Sequence, residues 1–302
     1  MSSVKLIKRR IRSSKNIAQI TKAMEMVSAS KMRRAQELAL SSRPYSEKMV
    51  EIITALALRA KDQLDHFLLK DPRINWAPEK QFNVLILLLS TDKSLCGGLN
   101  SNLFRGLETW FKDLKSAYRL PANTKFSFIT VGKKAKEHIL KSNRFLSAEF
   151  GQFGDKPKFS DILPISKMII AGFAADEFQM AFMVYMEFIS TISQKLAVKQ
   201  LLPIRAEEIT AQTDELSTDY LFEPRAEAIF SKLLPQYIEL QLYHVLLESV
   251  ASEHSARMVA MKNANDNALD IVSELTLEYN QARQTKITNE LLDVVSARLA
   301  LE

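Results

Sequence analysis

The residue types that could do chemistry are most concentrated in segment 90–100, which reads STDKSLCGGLN. The segment follows an apolar, strand-like run and precedes a helical pattern, where phosphate-binding loops hold anions at a helix N-terminus. However, it matches neither GxxxxGK[ST] nor GxGxxG, and no Ser or Thr follows a Lys at the predicted helix start. We therefore interpret it as a tight strand-to-helix turn that uses two glycines, with Asn100 or Ser101 as the helix cap.

The other candidate ligands and nucleophiles are scattered along the chain. The histidines, His66, His138, His244 and His254, show no metal-ligand spacing. Cys96 is the only cysteine, so an intramolecular disulfide is excluded, and no local signature supports a nucleophilic role for it. Neither a catalytic triad nor a paired-carboxylate motif is recognisable. The sequence therefore predicts no catalytic residue, no metal site and no cofactor.

The composition is that of a soluble, folded protein. The chain has 302 residues, of which 47% are hydrophobic and 25% charged. Purely apolar runs such as residues 84–89 are far shorter than the ~20 residues that a membrane-spanning helix needs. The N-terminal segment is basic and free of acidic residues up to Glu25. It resembles a transit peptide in that respect only, because its apolar period continues without a break into the next segment.

The distribution of glycine and proline indicates the elements that carry the chain's function. All seven glycines lie in residues 97–172, and all nine prolines lie in residues 44–235. Segments 1–43 and 236–302 therefore lack both helix breakers and are rich in strong helix formers. If fully helical, they would be ~65 Å and ~100 Å long. Helices of this length need a partner along their whole length, because helix propensity alone is weak.

The apolar spacing predicts that the two terminal helices are each other's partner. Four N-terminal residues follow the 3-4-3 spacing of a coiled-coil seam: Ile17, Ile20, Met24 and Val27. The C-terminal helix repeats it at Val272, Leu275, Tyr279 and Ala282, and continues through Ile287, Leu291 and Val294. Lys31 interrupts the N-terminal seam. The alternative is that each helix covers a separate globular core.

Charge also favours pairing of the ends. Residues 1–43 contain eleven Lys or Arg and two Asp or Glu, whereas residues 236–302 contain five and ten. The net charges, +9 and −5, are opposite, which favours association. The pair keeps an excess of +4, so a basic surface is left for another partner.

The middle of the chain has a different pattern. Apolar, β-prone runs at residues 82–89, 125–131 and 181–188 alternate with helical patterns at 99–118, 133–142 and 160–176. Such alternation predicts an α/β domain with a largely parallel sheet. The predicted domains are a coiled-coil helix at 1–59, a connector at 60–80 and a central α/β, Rossmann-like domain at 81–204. A return segment and the C-terminal coiled-coil helix follow at 205–302, where Pro224 suits a first helical turn and Pro235 predicts an early kink.

Three separated blocks resemble the gamma subunit family of F-type ATP synthases. The first reads IAQITKAMEMV at 17–27 and KMRRAQ at 31–36, and the second is segment 91–100. The third comprises EHSARMVAMKNA at 253–264, the tripeptide Asp266-Asn267-Ala268, YNQARQ at 279–284 and ITNEL at 287–291. The resemblance covers essentially the whole chain. Departures are Ile17, Ser94, Asn265 and a connector that is longer than in typical bacterial members.

The resemblance implies an α+β fold in which the terminal helices form a long antiparallel coiled coil beside the α/β domain. It also implies a rotor inside a hexamer of alpha and beta subunits, in one copy, with the epsilon subunit and the membrane c-ring as further partners. Residues that would contact the beta subunits are Met24, Arg257, Arg283, Gln284, Thr288 and Glu290. The expected location is peripheral, at the cytoplasmic face of a bacterial inner membrane.

Two other functions compete with this interpretation. The basic N-terminal helix could bind nucleic acid, but residues 1–44 contain no aromatic residue on which bases could stack. A small-molecule enzyme could use the central α/β domain, but its loops carry no recognisable catalytic set. We therefore expect a non-catalytic subunit that does not bind nucleic acid.

Overall fold

The computed structural model describes residues 4–60, 66–73, 76, 80–151, 153–154, 157–204 and 226–299. The chain divides into two compact units. The two-helix unit comprises Met1–Ala29 and Arg257–Glu302, and the sheet unit comprises Ser30–Ala256. Two long helices contribute to both units.

The two long helices are α1, Val4–Ala60, and α5, Ala226–Leu299. They contain 57 and 74 residues, which confirms the predicted long terminal helices. Both are longer than their breaker-free segments, because α1 continues through Pro44 and α5 through Pro235. A proline inside a helix removes one backbone hydrogen bond and costs about 3 kcal/mol. In α5 the fully buried Leu234 and Ile238 flank the proline, and their packing offsets this cost.

The sheet unit is built on five described strands in the order β3-β2-β1-β4-β5. Their bounds are Asn83–Leu89 for β1, Lys125–Val131 for β2, Phe145–Phe150 for β3, Met180–Phe188 for β4 and Gln194–Leu202 for β5. The first four strands are parallel, and β5 pairs antiparallel with β4. The connecting helices are α2 at Leu99–Ala117, α3 at Lys133–Lys141 and α4 at Phe159–Ala174.

Apolar layers cover both faces of the sheet. On one face, Leu103 and Leu107 of α2 and Ile139 of α3 pack against alternate residues of β1 and β4. On the other face, α4 packs together with the sheet-unit portions of α1 and α5, through residues such as Ile53 and Leu247. Because both faces are covered, β1 and β4 are apolar almost throughout, as expected for a parallel sheet.

The three predicted strands and three predicted helices are confirmed, each to within two residues. The edge strands β3 and β5 were not predicted. β3 alternates between exposed and half-buried residues, so it lacks the apolar run that identified the central strands. The predicted return segment at 205–224, with Pro224, lies outside the described residues, as does part of the 60–80 connector.

Candidate partner-binding site

The predicted phase of the α1 seam is wrong by one residue. In the two-helix unit, Ile17, Ile20 and Val27 are at least half exposed. The buried and half-buried stripe lies one position further along and keeps the heptad spacing: Val4, Ile7, Ile11, Ser14, Ala18, Thr21, Glu25 and Ser28. In the sheet unit, Met32, the residue after Lys31, is buried as well. Lys31 is therefore not a defect in the seam, because it does not occupy a seam position.

From Ala18 to Ser28 this phase buries small side chains, and the larger Ile17, Ile20 and Val27 stay exposed. Within the two-helix unit, the buried stripe includes Ala18, Thr21 and Ser28. The Thr21 hydroxyl donates to the Ile17 carbonyl at 2.9 Å, and the Ser28 hydroxyl donates to the Met24 carbonyl at 2.7 Å. Both buried hydroxyls are therefore satisfied by their own helix. Small residues at a helix contact let two helix axes approach closely, while the larger apolar residues remain available for another protein.

The seam of α5 is confirmed up to Ala282. Arg257, Met261, Asn265 and Ala268 are buried, and Val272, Leu275, Tyr279 and Ala282 are half-buried with exposed residues between them. A groove of about 470 Å³ places Lys15, Ala18 and Lys22 of α1 beside Asn265 and Leu269 of α5.

Counting seam positions outward from this groove pairs Ile7 with Tyr279, and Val4, the first described residue of α1, with Ala282. This antiparallel arrangement explains why burial on α5 stops after Ala282, which lies opposite the first described residue of α1. In a parallel pair, the part of α1 that continues to Ala60 would also cover α5 beyond Ala282, yet residues 283–297 are exposed. The predicted antiparallel pairing of the chain's ends is thus supported by burial along both helices.

Beyond Ala282 the predicted seam does not continue. Ile287, Leu291 and Val294 are exposed, Val294 to 68%. All residues from 283 to 297 are exposed, including Ser296 and Ala297, whereas Ala300 lies outside the described residues. The helix nevertheless continues to Leu299. This end of α5 therefore presents large apolar side chains that no described residue of the two-helix unit covers.

Four of the six predicted contact residues lie on this exposed end. Arg283, Gln284, Thr288 and Glu290 are all exposed. The Thr288 hydroxyl donates to the Gln284 carbonyl at 3.0 Å, and Glu290 forms an ion pair with Lys286 at 3.5 Å. Glu290 thus pairs with a neighbour one turn before it on the same helix. The role of these residues in binding a partner stays a prediction.

The other two predicted contact residues lie near the end of the described pairing that is remote from Ala282. Met24 is half-buried, and Arg257 is only 8% exposed. Arg257 occupies a seam position of α5 and has interactions within the chain. Since only 8% of Arg257 is exposed, a contact with another subunit would be made by a small part of its side chain.

Segment 90–100 is a structural junction of the sheet unit. The Ser90 hydroxyl accepts the backbone N–H of Ala135 at 2.7 Å, and an Asp92 carboxylate oxygen accepts that of Lys133 at 2.8 Å. These two residues satisfy first-turn N–H groups of α3, which would otherwise lack partners. Sequence reasoning missed this capping role, because the donors lie about forty residues further along the chain.

The predicted cap of α2 is not formed as expected. The Asn100 side-chain amide donates to the Thr91 hydroxyl at 2.8 Å and to Cys96 Sγ at 3.5 Å. Asn100 therefore lies inside the first turn and holds the preceding loop, while the Gly98 carbonyl accepts the N–H of Asn102 at 2.9 Å. Cys96 is buried in the apolar layer beneath α2, so it is shielded from reactants.

The block at 253–264 spans the boundary between the two units. In the sheet unit, Ser255 is fully buried and donates its hydroxyl to the Thr191 carbonyl at 2.7 Å. Ala256 packs on the apolar layer that contains Cys96. The first part of the block therefore attaches α5 to the turn between β4 and β5 and to the layer beneath segment 90–100. Two of the blocks that carry the family resemblance thus contribute to the same apolar layer.

A buried polar cluster between α5 and β4 was not predicted. His244, Glu248 and Ser252 follow one another at four-residue intervals on α5, and Tyr185 lies on the facing strand. Burial and the negative charge of Glu248 raise the pKa of the Tyr185 phenol. Burial and the positive charge of Lys199 lower the pKa of His244. Both groups are therefore neutral at pH 7. Four-residue polar spacing on an otherwise apolar helix face is the sequence signal that could have revealed this cluster.

No described helix is long and apolar enough to span a membrane. In the same residues, His, Cys, Asp and Glu side chains form no group of three that could hold a metal ion.

Comparisons with known proteins agree with the sequence blocks. A family model described as ATP synthase matches residues 3–301. The ATP synthase gamma chain of Dehalococcoides mccartyi strain BAV1 is 43% identical over 302 residues, which is all of both chains. That of Chloroflexus aurantiacus J-10-fl is 40% identical over all of this chain and 99% of the relative.

Solved structures share the fold. A chain of the Euglena gracilis mitochondrial ATP synthase OSCP/F1/c-ring assembly aligns with a TM-score of 0.64 at 21% identity. The alignment covers 99% of this chain and 94% of that chain. A chain of the Tetrahymena thermophila central stalk and c-ring gives 0.55 at 23% identity, covering 81% of this chain and 99% of that chain. With the sequence relatives matched over nearly their full length, the chain belongs to the ATP synthase gamma-chain family.

Proposed function

We propose that this chain is the central rotor of a rotary ATP synthase and couples rotation of a membrane ring to ATP synthesis or hydrolysis. The nucleotide sites would lie at alpha/beta subunit interfaces, and this chain would contribute no catalytic residue. The observation that carries the proposal is the two-helix unit, a rod-forming pair with apolar side chains on its outside. Family membership and likeness to chains from rotor assemblies support it.

The exposed apolar residues are too numerous for a helix pair that is surrounded only by water. On α1 and α5 they include Ile17, Ile20, Met26, Val27, Leu269, Ile271, Leu277, Ile287, Leu291, Leu292, Val294 and Val295. Contiguous exposed apolar surface marks an interaction site in soluble proteins. Because the exposed residues occur along most of the unit, we infer that alpha and beta subunits surround it.

Polar contacts with the surrounding alpha and beta subunits would have to break and reform as the rotor turns. The exposed Arg283, Gln284, Thr288 and Glu290 are proposed to contact beta-subunit loops, together with the partly accessible Met24 and Arg257. Exposed ion pairs contribute about 0–1 kcal/mol each, which permits rapid exchange. Buried pairs would be costly to separate at every step. The excess positive charge of α1 suits acidic loops on the surrounding subunits.

The remaining assignments rest on the family. We propose that the sheet unit contacts an epsilon subunit and the membrane c-ring, and that each complex contains one copy of this chain. The protein would then associate with the membrane peripherally, through the complex, at the cytoplasmic face of a bacterial inner membrane.

Reconstitution of the full chain with alpha and beta subunits tests the rotor function. The expected result is a complex with one copy of this chain and ATPase activity that depends on it. If the chain failed to join alpha and beta subunits under conditions where those subunits assemble, the proposal would be wrong.

A double variant tests the polar contacts. Replacing Arg283 and Gln284 together with alanine should lower coupled ATP synthesis severalfold, because an exposed cation and an exposed amide are lost near the end of α5. The matched control replaces Lys262 and Asn263, also an exposed cation and amide on α5. Normal synthesis in the first variant, or an equal loss in both, would contradict the assignment.

A further inference from the structure

The connector before β1 is fastened to the end of α2. The Asp71 carboxylate accepts the backbone N–H and the Nε of Arg73, both at 2.9 Å, and pairs with its Nη2 at 2.5 Å. This partner raises the pKa of Arg73. The Nη1 of Arg73 donates to the Tyr118 carbonyl at 2.9 Å. The charged pair therefore holds residues 71–73 against the turn that follows α2.

Trp76 is held beside the same turn. Its indole Nε1 donates to the Lys80 carbonyl at 3.2 Å, and its ring meets Phe82 edge-on with centroids 5.2 Å apart. The Asn123 amide also donates to the Lys80 carbonyl. The indole is thus fixed in position by a hydrogen bond at its nitrogen and by an aromatic contact.

These contacts enclose a cleft of about 400 Å³. Its walls are formed by Arg73, Trp76, Arg119, Pro121, Ala122 and Asn123. Lys80 Nζ lies 6.0 Å from the Trp76 ring centroid, and Lys115 Nζ donates to the Ala122 carbonyl at 3.3 Å. Two arginines therefore line the cleft and two lysines lie near its lining residues, with Asp71 as the one carboxylate in the described contacts of this cluster. The volume is within the range of small-molecule sites.

Arg119 occupies a position at which a helix usually places glycine. Its φ is +50°, and the N–H of Leu120 bonds to the Lys115 carbonyl at 2.9 Å, the hydrogen bond that closes a helix end of the Schellman type. A non-glycine residue in this conformation costs about 1 kcal/mol. Arg119 is exposed and forms no ion pair with any described residue. The side chain is therefore kept at an unfavourable backbone position without an ion-pair partner among the described residues.

We propose that this cleft binds a small organic anion that carries an aromatic ring. The ring would lie against Trp76 and Pro121, and the anionic group would accept hydrogen bonds from the Arg119 guanidinium. Arg73, already neutralised by Asp71, would act mainly as a rigid wall. The site is separate from the proposed beta-subunit contacts, because those residues lie in the two-helix unit and the residues of the cleft lie in the sheet unit.

The test uses tryptophan fluorescence of the full-length chain, which contains only Trp76 and Trp110. The probes are adenosine 5′-monophosphate and benzoate, with adenosine and inorganic phosphate as half-probes. We expect saturable quenching by at least one of the two aromatic anions. If adenosine 5′-monophosphate binds, adenosine and inorganic phosphate should each bind at least about tenfold more weakly than the nucleotide. The response should persist in Trp110→Phe and disappear in Trp76→Phe.

An Arg119→Gly variant separates binding from folding. Glycine suits the left-handed conformation, so the melting temperature should be unchanged or higher, while the dissociation constant should rise at least about tenfold through loss of a charge-assisted hydrogen bond. Arg105→Ala, which removes another exposed arginine near α2's start, should bind as the parent does. Absence of saturable quenching by both aromatic anions, or unchanged affinity in Arg119→Gly, would overturn the proposal.

Discussion

At the scale of single residues, Gly132 gives the sharpest stability prediction. Its φ of 93° and ψ of 145° lie in a region that is essentially restricted to glycine. A Cβ atom there would lie 2.3 Å from the Ser90 carbonyl oxygen. Gly132→Ala should therefore lower the free energy of unfolding by about 3 kcal/mol, measured by urea denaturation of the full chain.

Gly151 provides the matched control for this substitution. A Cβ atom at Gly151 meets nothing within 4 Å, and its φ is not in the left-handed region. Gly151→Ala should leave the unfolding free energy within about 0.5 kcal/mol of the parent value. Equal effects of the two substitutions would mean that the contact between Gly132 and Ser90 is not as tight as described.

His244 predicts a pH dependence of stability. Its pKa is lowered by burial and by Lys199, so in the folded chain it remains neutral below the usual pKa of 6.5. The unfolded chain then binds one more proton, and this residue's contribution to stability falls as pH decreases from about 6.5 toward the folded-state pKa. Above about pH 6.5 the contribution is constant. The slope for one proton is at most about 1.4 kcal/mol per pH unit.

Urea denaturation of the parent and of His244→Asn at a series of pH values checks this. The variant should lose less stability on acidification, because asparagine does not titrate. Their difference should stay constant above about pH 7, where both side chains are neutral. If parent and variant lost stability in parallel on acidification, the burial of His244 would not be linked to proton binding.

Sequence patterns located segment 90–100 correctly but could not assign its residues. The apolar run before it and the glycines within it predicted a strand-to-helix turn, and that turn is present. The capping of α3 by Ser90 and Asp92 depends on β1 and β2 being neighbours in the sheet, which no local pattern contains. The same limit applies to Ser255, whose partner is the Thr191 backbone.

At the scale of elements, the seam of α1 shows what periodicity can and cannot determine. The heptad spacing was predicted correctly, but α1 carries two parallel stripes with that spacing. The large residues Ile17, Ile20 and Val27 suggested the wrong one, because a hydrophobic core usually buries large side chains. In this helix pair the buried stripe includes small residues instead. On α5 only one stripe is apolar over 272–282, and there the prediction was correct.

Two isoleucine-to-alanine variants on α1 test this phase. Ile7 is 1% exposed and Ile20 is 60% exposed in the same unit. Ile7→Ala should lower the unfolding free energy by about 3 kcal/mol because it leaves a cavity, whereas Ile20→Ala should change it by less than about 0.5 kcal/mol. Circular dichroism during thermal unfolding of the free chain measures both. The opposite order would restore the seam predicted from the sequence.

The same pair separates stability from function. If the outer stripe contacts the surrounding subunits, Ile20→Ala should weaken coupled ATP synthesis in the reconstituted complex although the free chain is as stable as the parent. A conservative Ile20→Leu change, which retains the apolar volume, should restore most of the coupling.

At the scale of the whole molecule, the burial of the two long helices predicts which part of α5 contributes to the stability of the free chain. The seam of α5 is half-buried up to Ala282, and residues 283–297 are exposed. Breaker-free composition predicted that the helix would be long, but it could not show where the partner helix ends. The last covered residue of α5 depends on how the two helices pair. In the antiparallel arrangement it is Ala282, which lies opposite Val4, the first described residue of α1.

Truncation after Ala282 should therefore leave the melting temperature of the free chain nearly unchanged, since residues 283–297, most of the removed segment, are exposed. Truncation after Leu275 is the matched control: it also removes the half-buried Tyr279 and Ala282, and it should lower the melting temperature clearly. Equal destabilisation by both truncations would show that residues 283–302 support the fold.

In the reconstituted complex the first truncation should still reduce coupled ATP synthesis, because it removes the apolar end and the Arg283 and Gln284 contacts. A segment that the free chain does not need for stability, but that the complex needs for coupling, would be defined by its contacts with other subunits alone.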